Sequence, residues 1–243
     1  MIEHKVLISQ SMLFPWVGFL EQIKLCDTFI HYDDVQFSKG SFVNRVQLKT
    51  SRGMSWLTVP LKAFKFGSTI REIGVRPGGE WKSAHLDLLR SALGSAPHWG
   101  DVLEIVRQVY DSEHSSIGSL SRASLLALSS YFSIDLGVRY IDSATLGIPG
   151  SSSERVLNIV LAVGGNVYIT GHGALNYLDH EMFETAGVEV RYVDYLFTAY
   201  PQLYGEFTPF VSSLDLIANC GREGAKYISS DTVNWRVFKM RKL

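Results

Sequence analysis

The chain has 243 residues, 46% of them hydrophobic and 19% charged, with a formal net charge of −1. That composition excludes an intrinsically disordered chain and is ample for a packed core. The balanced charge argues against a long basic footprint for duplex nucleic acid, while a small basic docking face, such as one for an aminoacyl-tRNA donor, stays open.

The N-terminal MIEHKVLISQ is charged where a signal peptide needs an apolar run, and no later segment approaches the length of a membrane span. Lys5 to Ser9 is a short apolar run and predicts a buried strand. The exit Gln10-Ser11 and the aromatic loop MLFPW follow. Trp16 to Cys26 reads as a helix, with Trp16, Phe19, Leu20 and Ile23 mostly on one side. Thr28 to Tyr32 predicts a second strand, and a strand–helix–strand unit this short favours a parallel crossover. Alternation then predicts an antiparallel β meander: Val43–Thr50, Ser55–Lys62 and a third strand at Thr69–Val75, ended by Arg-Pro-Gly-Gly at 76–79. Helical texture runs over 81–94, 100–111 and 115–132. A strand is expected at Asp135–Ile141. Ser151-Ser152-Ser153-Glu154 then caps a helix that ends near Gly164-Gly165. The next strand is Val167–Thr170, followed by the turn Gly171-His172-Gly173, a helix over Asn176–Ala186 and a strand over Val188–Tyr195. The predicted fold is α/β. One domain, 1–243, carries a mostly parallel Rossmann-like sheet flanked by helices, with a β meander inserted at about 40–76 and a helical block at about 81–132.

In open parallel sheets ligands bind at the carboxyl ends of the strands. Three polar exits should meet there, after Ser9, after Tyr32 and after Thr170. Asp33 and Asp34 are candidates for a general base, a divalent-ion ligand or an acceptor for an amine or sugar hydroxyl. A strand-end turn with solvated acids is the competing reading. Adjacent strand residues point to opposite faces, so at most one of the two naturally faces a pocket. Lys39 and Arg45 are candidates for a phosphate or carboxylate, or else hairpin charges in solvent. His172, with Gly171 and Gly173, is a candidate for an anion contact or a general base, set against a turn whose glycines only satisfy backbone geometry. Gln10, Gln36, Asn44, Asn176 and Tyr177 can orient polar substrate groups. Phe14 and Trp16 can wall a pocket, although such aromatics more often sit in a core. The remaining histidines lack metal-ligand spacing, and no metal site is predicted. The two cysteines, Cys26 and Cys220, are too few for a disulfide framework, and a reducing cytoplasm is expected.

Together, ISQSMLFPWVGFLEQI, CDTFIHYDDVQFSKGSFVNRVQLKT, SWLTVPLK, YITGHGALNYLD and FVSSLDLIANCG resemble the WbqC-like family, with the YDDVQ and Asn-Arg elements the most specific. The chain differs from the family's usual pattern at Gln10-Ser11-Met12 and at Ser41-Phe42-Val43. The resemblance implies a bacterial protein associated with surface-polysaccharide assembly and a substrate among sugars or their activated forms. The layout also resembles nucleotide-binding folds that make adenylates, but Phe14-Pro15-Trp16-Val17-Gly18 stands where their signature histidines would be.

Three functions follow as expectations. The first is an enzyme of O-antigen or other glycan-precursor synthesis, transferring an acyl or aminoacyl group to an amino sugar or nucleotide-linked sugar. Asp33, Asp34 and His172 would carry the chemistry, with a nucleotide or acyl donor bound nearby. The second is a nucleotide-dependent ligase or nucleotidyltransferase in which the acids hold Mg²⁺. The third is a non-catalytic sugar-binding or scaffold protein.

Overall fold

The computed structural model describes residues 2–242. Its strands are β1 (Lys5–Ser9), β2 (Thr28–His31), β3 (Arg45–Thr50), β4 (Gly53–Thr58), β5 (Arg139–Asp142), β6 (Val167–Thr170), β7 (Glu189–Asp194) and β8 (Asp231–Asn234). Its helices are α1 (Val17–Lys24), α2 (Glu80–Leu93), α3 (Trp99–Asp111), α4 (Ile117–Tyr131), α5 (Ser152–Ala162), α6 (His180–Thr185), α7 (Ser213–Cys220) and α8 (Trp235–Lys242).

Six strands form one sheet in the order β5-β2-β1-β6-β7-β8, with every pairing parallel except β7 with β8. The chain starts at β1, adds β2 and β5 on one flank, then returns to lay β6 and β7 on the other. The strand order reverses at β1, which opens a crevice at the carboxyl ends of its neighbours. This is the predicted Rossmann-like α/β sheet.

Burial on both faces explains why these strands read as unbroken apolar runs. Alternate side chains feed two cores. Leu7, Phe29 and Ile169 face α1, α7 and the helical block, whereas Val6, Ile8, Ile30 and Tyr168 face α5, α6 and α8. All four residues of β2 and of β6 are buried.

The insertion forms the antiparallel hairpin β3–β4, paired from Arg45↔Thr58 to Thr50↔Gly53. The third meander strand expected at Thr69–Val75 does not form. Its backbone donors and acceptors are divided between two partners. Ile70 and Arg71 donate to the carbonyls of Val35 and Asp33, while Gly74 accepts from Lys62, with a tight turn from Thr69 to Glu72 between. Only the single bridges Gln36–Thr69 and Leu61–Val75 remain.

The three helices of the block lie where the pattern puts them. Ser116 and Ser119 close a reciprocal capping box at the start of α4. The helix expected over Asn176–Ala186 is divided. A 3₁₀ turn spans His172–Asn176, and α6 starts afresh at His180 because the Asp179 carboxylate accepts from the Met182 N–H and fixes a new N-cap there. Beyond Tyr195 the sequence pattern defines no further element, and the structure adds α7, β8 and α8 after a long aromatic loop.

Candidate functional site

The exit of β2 carries Asp33 and Asp34, and they diverge as the two-residue period of a strand requires. The Asp33 side chain is 1% exposed and accepts three hydrogen bonds: from the Ser11 N–H (2.8 Å), the Ser11 hydroxyl (2.7 Å) and Arg122 Nη2 (3.1 Å). The Asp34 carboxylate turns to the other face. There it accepts from Arg155 Nη2 and from the Ser143 hydroxyl, each at 2.5 Å. Each acid therefore has its own arginine, one from α4 and one from the start of α5.

Arg122 is shared. Its Nη1 also donates to the Asp142 carboxylate at 3.1 Å, so one guanidinium ties the end of β2 to the end of β5. Asp142 is the more open acid, with a side chain 28% exposed against 1% for Asp33. Both acids line a cavity of about 310 Å³ together with Arg71, Arg122 and the serines at the start of α4. Ser115 and Ser119 also line a neighbouring groove of about 950 Å³, whose charged residues are Lys62, Arg76 and Lys82 with the acids Asp111 and Glu113. A polar pocket with convergent charged groups at the carboxyl ends of strands is the arrangement expected of a small-molecule site.

On the other face, the Arg155 guanidinium carbon lies 4.9 Å from the centre of the Tyr32 ring. Tyr177, from the exit of β6, stands on the same side, and its carbonyl accepts from Ser153. Burial pushes the phenol of Tyr32 up, so it remains a neutral hydrogen-bond donor, whereas Tyr177 is exposed.

His172 joins neither acid. Its Nε2 donates to the Val193 carbonyl at 2.8 Å, and its ring packs against Tyr195 and Phe238 on the β7 side. Burial lowers its pKa, and the neutral ring is the state this packing holds. Gly171 has ordinary φ but admits the Gln22–Tyr195 hydrogen-bonded pair, which a Cβ would meet at 3.5 and 3.4 Å. Gly173 and Asn176 are exposed, and Gln10 is half-buried at the exit of β1.

The remaining candidates have structural contacts. Asn44 is buried and clamps Val59 by two hydrogen bonds, one from its side chain and one to its carbonyl. Arg45 grips the Gly40 carbonyl through Nε and Nη2 and lies 4.2 Å over Trp56. Gln36 and Lys39 are exposed. Phe14 is fully buried against Tyr110, its backbone held at φ 37° by hydrogen bonds with Ser124 and Ser212. Trp16 walls a separate apolar cavity. The Cys26 thiol is buried and its pKa pushed up, which leaves it unreactive.

Behind Asp33 lies His31, 2% exposed. The Ser11 hydroxyl gives its proton to Asp33, so His31 Nδ1 must donate to that oxygen, at 2.9 Å. Burial, reinforced by the Arg122 charge, pushes the His31 pKa down to about 3 from the ordinary 6.5. Below pH 6.5 the unfolded chain therefore binds a proton that the folded chain refuses. The stability tied to neutral His31 is complete above that pH and is lost as pH falls toward 3. Asp215 opposes it. Burial raises its pKa to about 6, so its contribution declines as pH rises from 3.8 to 6. Comparison with His31→Phe isolates the histidine. Urea unfolding at pH 7 and pH 5 should show the wild type losing about 2 kcal/mol more than the variant. Parallel pH dependences would refute this account.

Sequence reasoning missed Arg122, Asp142, Arg155 and Arg71. Two of them left a signal. Arg122 is the sole charged residue of α4, a helix otherwise built of Ser, Ala, Gly, Leu, Ile and Tyr. Arg155 places a cation at the start of a helix, where the dipole disfavours it unless an acid such as Asp34 compensates.

The profile of the WbqC-like protein family matches residues 10–227, which include both arginine–acid clusters and the cavity. An uncharacterised protein of Mycobacterium tuberculosis, Rv1507c, is 34% identical over 227 residues, covering 92% of this chain and 97% of its own. No solved structure matches. By the extent of the profile match and the length shared with this relative, the chain belongs to the WbqC-like family.

Proposed function

We propose that the protein transfers an acyl or aminoacyl group to the amine of an amino sugar or nucleotide-linked sugar during glycan-precursor synthesis. Family membership supports a role associated with polysaccharide biosynthesis. The observation that carries the finer reading is the Asp33–Arg122–Asp142 bridge lining a polar cavity beside a groove that carries three cations and two acids. The two compartments suit the two halves of such a substrate. The cavity takes the amino sugar, and Lys62, Arg76 and Lys82 hold the phosphates.

In this reading Asp142 is the base, and Asp33 is a positioning residue that holds Arg122. The amine nitrogen attacks the acyl carbonyl and a C–N bond forms. The carbonyl oxygen becomes an oxyanion facing Arg71 and Arg122. The bond to the thiolate, phosphate or ribose oxygen of the donor then breaks, and the leaving group departs with the electron pair. Asp142 takes the proton that the nitrogen sheds. On the opposite face, the Asp34–Arg155 pair lies outside this cavity and takes no step in the transfer. Arg45 and His172 are held in other contacts, Lys39 is exposed on the hairpin side, and none of the three takes a chemical step.

The test is calorimetry with nucleotide-linked amino sugars, followed by mass spectrometry after adding acyl-thioester or aminoacyl-tRNA donors. Binding of the amino sugar, weaker binding of its N-acetylated form and a product heavier by the acyl group are expected. If no amino sugar binds, the reading fails. If one binds and raises the melting temperature but no donor gives product, the protein is a sugar-binding module.

A nucleotide-dependent ligase remains the second reading, favoured by the strand-order reversal at β1 and by the three cations of the large groove. Heat from ATP or CTP that requires Mg²⁺, with no response to amino sugars, would select it.

A further inference from the structure

Between Asp34 and Glu72 the chain carries Lys39, Arg45, Lys49, Arg52, Lys62, Lys65 and Arg71 and no acid, in a protein whose formal net charge is −1. The same stretch exposes large apolar side chains: Phe42 (44%), Met54 (44%), Trp56 (40%) and, at a loop tip, Phe66 (97%). Lys49 is buried and donates to Gln202, Gly205 and Glu206; apart from it, cationic and apolar exposure are concentrated in one insertion outside the sheet.

The hairpin arranges them together. Met54 and Trp56 are two apart on β4 and share its open face. Phe42 lies 5.9 Å from Trp56, and Arg45 stacks on that indole. Because Arg45 also holds the Gly40 carbonyl, it keeps the turn carrying Lys39 beside the aromatic pair. Arg52 sits in the hairpin turn next to Met54.

The apolar surface continues onto the long loop after β7. Phe42 and Phe210 line one apolar cavity of about 220 Å³ together with Trp16 and Met12. Phe210 (58% exposed) lies 5.7 Å from Phe197 (40% exposed).

The geometry points to this face as a docking surface for an anionic lipid bilayer. The aromatic side chains and Met54 enter the interfacial layer, and Lys39, Arg45 and Arg52 meet lipid phosphates. Trp, Phe and Met beside Lys and Arg are the composition of an interfacial anchor. Two other occupants fit less well. A second copy of the chain would set like charges against each other across a two-fold axis. A nucleic acid would use the cations and could stack on Trp56. It would leave Met54 and the apolar cavity without a partner, and base recognition also needs polar groups for base edges. The inference stands apart from the proposed transfer chemistry, because none of its surface residues has a step there.

Co-sedimentation with phosphatidylglycerol-containing vesicles tests it, with pure phosphatidylcholine vesicles as the reference. The protein should bind the anionic vesicles more tightly and detach as ionic strength rises. Lys39→Glu with Arg52→Glu should weaken partitioning at least about tenfold, given roughly fivefold per cation near an anionic surface. Phe42→Ser with Trp56→Ser should weaken it comparably while the circular dichroism spectrum stays that of the wild type. Absence of binding to anionic vesicles at low salt overturns the proposal. So does a loss confined to the charge variants and matched by binding to RNA, which would make the face a polyanion site. A concentration-dependent dimer that Phe42→Ser with Trp56→Ser abolishes would assign it to self-association instead.

Discussion

Arg122→Met should lower the stability of the folded protein by about 3 kcal/mol and its melting temperature by about 6–12 °C. The substitution keeps an unbranched side chain of similar reach but removes the charge that Asp33 faces from within the core. Asp33 is 1% exposed and cannot recover hydration when its partner leaves. Removing one member of such a pair costs more than the pair itself is worth, because the remaining charge is stranded. The value falls at the lower end of the usual range for two reasons. The Ser11 N–H and hydroxyl still donate to Asp33, and Asp142, 28% exposed, can be hydrated. Arg122 also leaves its buried Nε without a partner, so the wild-type bridge itself falls short of full hydrogen bonding. The diagnostic measurement is a double-mutant cycle. Adding Asp33→Asn to Arg122→Met should restore part of the loss, since the stranded charge is gone. A shift below 2 °C for the single variant, or no recovery in the double, would show that the two residues are not energetically coupled. Arg122→Lys should fall between, because an ammonium cannot span both carboxylates as a fork does.

That coupling also marks where the sequence stops being informative. β1, α1 and β2 were legible because a buried parallel strand is an unbroken apolar run and a half-buried helix repeats every three to four residues. The divergence of Asp33 and Asp34 was legible for the same kind of reason, since neighbours in a strand alternate faces. Their partners were not. Arg122 and Arg155 are 89 and 121 residues from the acids they neutralise, and no local pattern spans such distances. Lys39 and Arg45 drew attention by standing near the acids in sequence, yet the hairpin carries Arg45 to Trp56 and the Gly40 carbonyl. His172 follows a strand that does end at the crevice. The 3₁₀ turn that begins at His172 carries the imidazole toward the Val193 carbonyl on the β7 side. The missing third meander strand failed for a different reason. Alternation at Thr69–Val75 is real, but a strand also needs one continuous partner, and the segment divides its hydrogen bonds between two.

Asp142→Asn should reduce turnover by about 10²–10⁴-fold, the usual contribution of a positioned general base, while altering the melting temperature by only about 2–4 °C. The amide separates the chemical from the structural role of this side chain. Asp142 accepts from the Ala144 N–H at 3.0 Å and so caps the 3₁₀ turn that follows β5. The asparagine oxygen retains that bond, and Asn is as good a cap as Asp. What it cannot do is take a proton from an attacking amine. It also weakens the tie to Arg122, but Asp33 still holds the guanidinium from the buried side. The split between parameters is therefore informative. Loss of the base lowers kcat with KM little changed, whereas loss of amine binding raises KM at constant kcat. Asp34→Asn provides the contrast, because that acid faces Arg155 on the other side of the sheet. Its loss should leave both kcat and KM close to the wild-type values, since Asp34 does not line the cavity. An Asp142→Asn protein that turns over at the wild-type rate would remove Asp142 from the chemistry, and a matching kcat loss in Asp34→Asn would move the reacting centre to the Arg155 face.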